Sequence, residues 1–210
     1  MNGFDTTLYF ITDSTGFTEG EFLRRTEEAL KGGVTLLQLR EKDKTTREYI
    51  DIAKKVHKLT LKYNVPLIID DRIDVALAVG AEGVHLGQSD MPIDAARQIL
   101  GNGFIIGATT KTVAQAVEAY AQGADYLGVG AIYPTTTKVK TVLTSTQTLA
   151  DICSAVSIPV NAIGGLNKNN VNILEGINIA GICVVSAIMK ADDPKAEAET
   201  LLELAKKLTN

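Results

Sequence analysis

The chain has 210 residues, of which 45% are hydrophobic and 5% aromatic, with a formal net charge of −4. Such a composition describes a globular protein with an aliphatic core, at a length common for single-domain barrels, and the acidic balance excludes a broad basic face for nucleic acid. No apolar run approaches the roughly 20 residues that span a bilayer, and the opening "MNGFDTTLYF" lacks the basic-then-apolar layout of a signal peptide.

Eight apolar runs read as strands in chain order. They are "LYFITD" at 8–13, "VTLLQLR" at 34–40, "VPLIID" at 65–70, "GVHLG" at 83–87, "FIIGA" at 104–108, "DYLGVG" at 125–130, "IPVNAIGG" at 158–165 and "GICVVS" at 181–186. Helical periodicity fills the intervals. Thr18 with Glu21, Thr45 with Glu48 and Thr112 with Gln115 each form a capping-box pattern ahead of an apolar stripe. Gly32 and Gly123 stand where a helix end favours a left-handed residue. Strands alternating with helices predict parallel βαβ units, and continuous apolar strands predict a sheet covered on both faces. The number of units and the length favour an α/β fold of one kind, a single (β/α)8 TIM barrel over residues 1–210. One segment breaks the compact pattern: residues 134–148, "PTTTKVKTVLTSTQT", form a long threonine-rich connection after the sixth strand, a length usual for functional lids or disordered segments.

Cys153 and Cys183 lie in apolar contexts and read as buried, reduced thiols of a cytoplasmic protein. The two histidines, His57 and His85, are far apart, which disfavours zinc. Oligomeric state stays open, a homo-oligomer included.

Barrel active sites gather at the C-terminal ends of the strands. There the chain offers Thr12 and Asp13, then Gln38, Arg40 and Lys42, then Asp70, Asp71 and Arg72, then His85, Gln88 and Asp90. Thr109, Thr110 and Lys111 follow the fifth strand, Thr135, Thr136, Thr137 and Lys138 the sixth, Gly164 and Gly165 the seventh, and Ser186 the eighth. Duller roles exist for each. Asp90 precedes Met91-Pro92 and could cap a helix, Asp70-Asp71-Arg72 could be a local ion pair, and His85 a neutral, hydrogen-bonded packing residue. Convergence on one rim raises the functional reading. Two carboxylates, Asp71 and Asp90, suit Mg²⁺, a hard cation that takes oxygen ligands. Arg40, Lys42 and Lys138 would offset the charge of a diphosphate as it leaves. Gly164-Gly165 and Ser186 occupy the usual phosphate site of these barrels. Two anion sites imply two phosphorylated small molecules, or one long one.

The ordered motifs "QLREK" at 38–42, "IIDDR" at 68–72, "GVHLGQSD" at 83–90, "PTTTK" at 134–138, "AIGGL" at 162–166 and "VVSAI" at 184–188 resemble those of the thiamine phosphate synthase family. The resemblance implies a transferase of thiamine biosynthesis. Such enzymes join 4-amino-2-methyl-5-pyrimidinylmethyl diphosphate to hydroxyethylthiazole phosphate, releasing pyrophosphate by a dissociative, Mg²⁺-assisted substitution. By position it implies that Gln38, Leu39, Arg40, Glu41 and Lys42, with Asp70 and Thr109, face the pyrimidine diphosphate. Asp71 and Asp90 would hold Mg²⁺. Arg40, Lys42 and Lys138 would act in catalysis, Lys138 on the leaving pyrophosphate. Thr135, Thr136, Thr137, Gly165, Val185 and Ser186 complete the implied substrate contacts, chiefly to the thiazole phosphate. The family usually has Asn where this chain has Asp70 and Ser where it has Thr109. Ala131 stands where Pro is common, and Val139-Lys140 where an acidic residue is usual. The paralogous thiazole tautomerase on the same barrel, and a non-catalytic phosphate sensor, are the competing readings.

Overall fold

The computed structural model describes residues 3–134 and 142–209. Eight strands close into one all-parallel barrel in the order β1 to β8: Leu8–Ile11, Leu36–Leu39, Leu67–Asp70, Gly83–Leu86, Ile105–Thr110, Tyr126–Gly130, Val160–Ile163 and Gly181–Val184. β1 pairs with β8 through Leu8 opposite Ile182, which completes the circle. The helices are α1 (Glu19–Lys31), α2 (Thr46–Tyr63), α3 (Ile73–Val79), α4 (Ile93–Leu100), α5 (Val113–Ala121), α6 (Thr146–Ala155), α7 (Ser186–Met189) and α8 (Pro194–Leu208). Between β7 and β8 the described chain forms a short 3-10 turn, Val171–Leu174, instead of a full helix. Three apolar residues, Val171, Ile173 and Leu174, and a preceding Asn-rich stretch provide too little helical stripe for more.

Side-chain parity divides every strand between two cores. Leu8, Phe10, Leu37, Leu39, Leu67, Ile69, Val84 and Ile106 pack outward beneath the helices. Tyr9, Ile11, Leu36, Ile68, Ile105, Tyr126 and Cys183 point into the lumen. Leu36, Ile68 and Tyr9 are wholly shielded from solvent, so each aliphatic chain contributes about 1.5–3 kcal/mol by leaving water. The aromatic rings need room, and glycine supplies it. A Cβ built on Gly107 would lie 2.1 Å from Tyr126 Cζ.

Local signals mostly hold, with three corrections. Thr45 and Glu48 form the reciprocal capping box. Thr18 accepts from the Glu21 amide without an observed return bond. Thr112 likewise accepts from the Gln115 amide, while the Gln115 side chain accepts from the Lys111 amide instead. Gly32 ends α1 at φ −78°, and the left-handed residue is its neighbour Gly33 at φ 93°. Gly123 is left-handed as expected, φ 97°.

Gly107→Ala should lower unfolding free energy by about 1–3 kcal/mol, the usual cost of forcing bulk into a packed core. Gly103→Ala, whose new methyl would meet nothing within 4 Å, should change it by less than about 0.5 kcal/mol. Urea unfolding of both variants measures the difference.

Candidate functional site at the barrel mouth

At the C-terminal end of β3 the chain places two consecutive carboxylates. Asp70 is the last strand residue and points inward with 8% of its surface exposed. Asp71 follows in the left-handed region, φ 60°, which Asp tolerates better than most residues. Its amide donates to the His85 carbonyl at 3.0 Å, so the turn is tied to β4. The parity within "QLREK" brings Arg40 and Lys42 to the same place from β2. Lys42 Nζ lies 2.7 Å from Asp70 Oδ2 and also pairs with Asp71, and Arg40 Nε stands 3.8 Å from Asp70 Oδ2. The local Asp-Arg pair expected at "DDR" does not form with these carboxylates. Arg72 turns away to Asp74 and Thr46, because α3 starts there and its first turn supplies the nearer acceptor.

Asp90 arrives from the turn after β4. Its Oδ2 accepts the Gly87 amide at 2.7 Å. It does not cap α4, whose first flanking residue is Pro92 with no side-chain cap bond. Asp71 and Asp90 meet within hydrogen-bonding reach although nineteen positions separate them in sequence.

The electrostatics follow from this crowding. Burial, and then the charge of Asp71, push the Asp70 carboxyl up to about 6 against the pull of Lys42 and Arg40. Burial would raise Asp71 too, but the Lys42 ammonium and the Asp90 hydrogen bond outweigh it and hold Asp71 below the usual carboxylate range. Asp90 is raised by burial and by sharing a bond with Asp71. Burial opposes the charge on Lys42, yet the two facing aspartates keep its ammonium more firmly protonated than usual.

The other predicted residues divide. Gln38 is buried in the lumen and donates to the Tyr9 hydroxyl at 2.6 Å. Thr109 is bound to His85 Nε2 at 2.8 Å. Leu39 faces the outer core, and its carbonyl is taken by Tyr49 Oη at 2.7 Å. Glu41 bends toward β1 and accepts from Ser14 Oγ at 2.7 Å, apart from the Asp70 cluster. Gly165 takes φ 66°, and a Cβ there would press on Tyr133 Cβ at 2.7 Å and the Pro134 carbonyl at 2.8 Å. Val185 and Ser186 open the short α7. Ser186 shares a cleft of about 540 Å³ with Asn167, Lys168 and Lys190; the cleft lies along the β7 and β8 ends and includes none of the three aspartates. Thr135, Thr136, Thr137 and Lys138 lie outside the described residues.

Sequence alone does not single out Tyr9 or Tyr126, whereas the hydrogen bonding expected of His85 is present at both ring nitrogens. All three join the lumen network. The signal available was parity: in "YLGVG" Tyr126 alternates with Gly128 and Gly130, one large ring facing two absent side chains.

The sequence signature of the thiamine monophosphate synthase family matches residues 8–188. The chain belongs to that family. It is 48% identical over 197 residues to a thiamine-phosphate synthase of Clostridium tetani, covering 94% of each chain. It is 47% identical over 201 residues to the thiamine-phosphate synthase of Enterococcus faecalis, covering 96% of this chain and 95% of that one. Among solved structures, thiamine phosphate pyrophosphorylase from Pyrococcus furiosus superposes with a TM-score of 0.89 at 40% identity, over 97% of both chains. A 3-hexulose-6-phosphate synthase shares only the barrel, with 17% identity and a TM-score of 0.72.

Asp70 yields a pH test. A carboxyl whose folded pKa exceeds its unfolded value binds protons more tightly in the fold, so its stabilising contribution is full at low pH and is lost as pH rises. Here the window runs from the ordinary 3.8 to about 6. In metal-free buffer the wild type should lose stability relative to Asp70→Asn across that window. Urea midpoints of both proteins from pH 4 to 7 measure it; a constant difference would show that burial does not govern this carboxyl.

Proposed function

We propose that the protein is a thiamine-phosphate synthase, a transferase that moves a pyrimidinylmethyl group from its diphosphate to the nitrogen of hydroxyethylthiazole phosphate. The observation that carries the proposal is the meeting of Asp71 and Asp90 beside Lys42 at one barrel mouth. The curated relatives' names point the same way. A thiazole tautomerase has no diphosphate to expel and so no use for this cluster, and none of the relatives described above carries that name.

The donor set fits Mg²⁺. Two hard oxygen ligands from separate turns suffice for an ion that keeps water and phosphate oxygens in its shell. One Asp90 oxygen is held by the Gly87 amide, which orients the group without consuming the other oxygen. Among the described residues no three His, Cys, Asp or Glu groups form a metal cluster, which suits an ion shared with a ligand better than a protein cage. Asp71 and Asp90 would hold it, and when bound it would neutralise charge on the departing pyrophosphate. Arg40 and Lys42 would add fixed positive charge on the same side, and Lys138 is assigned the leaving group by the family resemblance. Gln38, Asp70 and Thr109 would face the pyrimidine. Leu39 and Glu41 are better read as supports for the β2 end. Thr135, Thr136, Thr137, Gly165, Val185 and Ser186 would receive the thiazole phosphate. The chemistry then needs positioning and leaving-group stabilisation, not a side-chain nucleophile. No helix among the described residues is long and apolar enough to cross a membrane, and two free thiols suit the reducing cytoplasm, where we place the reaction.

Incubation with both substrates and Mg²⁺ should release pyrophosphate and form thiamine phosphate, and EDTA should abolish both products. Activity that survives EDTA would sink the metal-assisted reading. Asp90→Asn keeps an acceptor for the Gly87 amide but loses the charge. It should weaken Mg²⁺ binding by at least about tenfold with little change in melting temperature, measured by calorimetric titration and thermal unfolding. Lys138→Ala should lower turnover while the melting temperature stays within a few degrees; unchanged turnover would remove Lys138 from the site.

A further inference from the structure

Beneath the aspartates a single file of hydrogen bonds crosses the lumen. Gln38 Nε2 donates to Tyr9 Oη at 2.6 Å. Tyr9 Oη and Tyr126 Oη lie 2.8 Å apart. Tyr126 Oη is 3.0 Å from His85 Nδ1, and His85 Nε2 is 2.8 Å from Thr109 Oγ1. Both tyrosines are fully buried, and Gln38 and His85 are nearly so. Five residues from β2, β1, β6, β4 and β5 thus form one chain across the barrel. Gly107 and Gly128 leave space for it, since a Cβ on the first would strike the Tyr126 ring and one on the second would sit 3.3 Å from His85 Cε1.

The chain has a direction. An amide nitrogen can only donate, whereas a phenol both donates and accepts. Tyr9 receives the Gln38 proton, so its own proton goes to Tyr126. Tyr126 then directs its proton to His85 Nδ1, the imidazole carries its hydrogen on Nε2, and that hydrogen goes to Thr109 Oγ1. Thr109 is left with a hydroxyl proton for an acceptor beyond the chain, and its backbone is pinned by Gln88 Nε2, 2.8 Å from the Thr109 carbonyl. Burial pushes both phenols well above their ordinary ionisation, which keeps both hydroxyls protonated.

We propose that this one-way chain locks His85 as its Nε2–H tautomer and thereby presents the Thr109 hydroxyl as a donor to a pyridine-type ring nitrogen of the substrate. Tyr9 and Tyr126 are its positioning residues. The ligand end rests on the proposed function; the tautomer does not. A ring nitrogen with a lone pair is accepted, and an analogue with carbon at that ring position leaves the Thr109 hydroxyl without its acceptor.

Nitrogen-15 NMR of histidine-labelled protein reads the tautomer directly. In the wild type Nδ1 should be unprotonated and Nε2 protonated. Tyr126→Phe removes the donor to Nδ1 and should let the two tautomers mix. Tyr9→Phe leaves the Tyr126 hydroxyl with His85 as its acceptor and should retain the wild-type pattern. Both variants keep their rings, so a purely packing role predicts the same response from each. In steady-state assays Tyr126→Phe should raise KM for the pyrimidine diphosphate roughly threefold to tenfold, the value of one net hydrogen bond, and leave KM for the thiazole phosphate unchanged. An Nδ1–H or doubly protonated His85 in the wild type, or equal behaviour of the two variants, would overturn the chain. An enzyme with the expected tautomer but no thiamine phosphate activity would instead overturn the proposed function and the ligand end with it.

Discussion

A carboxylate at the inner end of a barrel strand has little water to stabilise it, and the mouth of this protein is organised around that difficulty. Asp70 is shielded, adjacent to a second carboxylate, and 2.7 Å from the Lys42 ammonium. Lys42 answers both aspartates at once, and Arg40 stands a little further off. Among the described residues, three aspartates against Arg40 and Lys42 would suit a ligand that carries its own counter-ion. The resemblance implies Asn where this chain has Asp70, and Asn would offer Lys42 a neutral acceptor in place of a carboxylate. Asp70 therefore tightens the grip on Lys42 before any diphosphate arrives. Under the proposed function, Lys42 would exchange carboxylate partners for phosphate oxygens, an exchange that would cost less with another cation on the aspartates.

Below this layer the lumen changes character. Leu36, Ile68 and Ile105 fill one end with aliphatic volume, while the upper half carries phenols, an imidazole and an amide. Polar groups withdrawn from water are tolerated only when their hydrogen bonds are made, and the Gln38-to-Thr109 file satisfies that condition with five side chains from five strands. Closure of the barrel is what brings them together, since no two of them are sequence neighbours. The same closure carries Asp71 and Asp90 from successive turns into contact.

Much of this was legible in the chain. Strand parity in "QLREK" placed Gln38 inward and Arg40 and Lys42 above it, because a two-residue period is a property of the backbone and survives any tertiary context. Threonine caps were legible for the same local reason. What local chemistry could not decide was partner choice. Arg72 sits beside Asp71 in sequence yet pairs with Asp74, and Asp90, which reads as a helix cap, closes a turn to Gly87 instead. In each case the backbone, set by a left-handed residue or a nearby proline, chose among hydrogen-bond partners that sequence spacing ranks equally. Tyr9 and Tyr126 escaped notice because aromatic residues in apolar strands read as bulk. Their hydroxyls matter only when strands on different sides of a closed barrel face each other.

The lumen is also notable for what it keeps un-ionised. Cys183 lies against Tyr9 and Tyr126, and burial raises its thiol well above the ordinary value. The two phenols are raised for the same reason. A thiolate or a phenolate is a stronger nucleophile than its protonated form toward an activated pyrimidinylmethyl carbon. In the proposed substitution that carbon must be captured by the thiazole nitrogen, and capture by the protein would end turnover after one cycle. Desolvation of the three groups removes the competing nucleophiles by holding them protonated. The apolar lining therefore contributes more than stability: in the proposed reaction it would keep a cysteine and two tyrosines protonated, and so less reactive, while the electrophile is present.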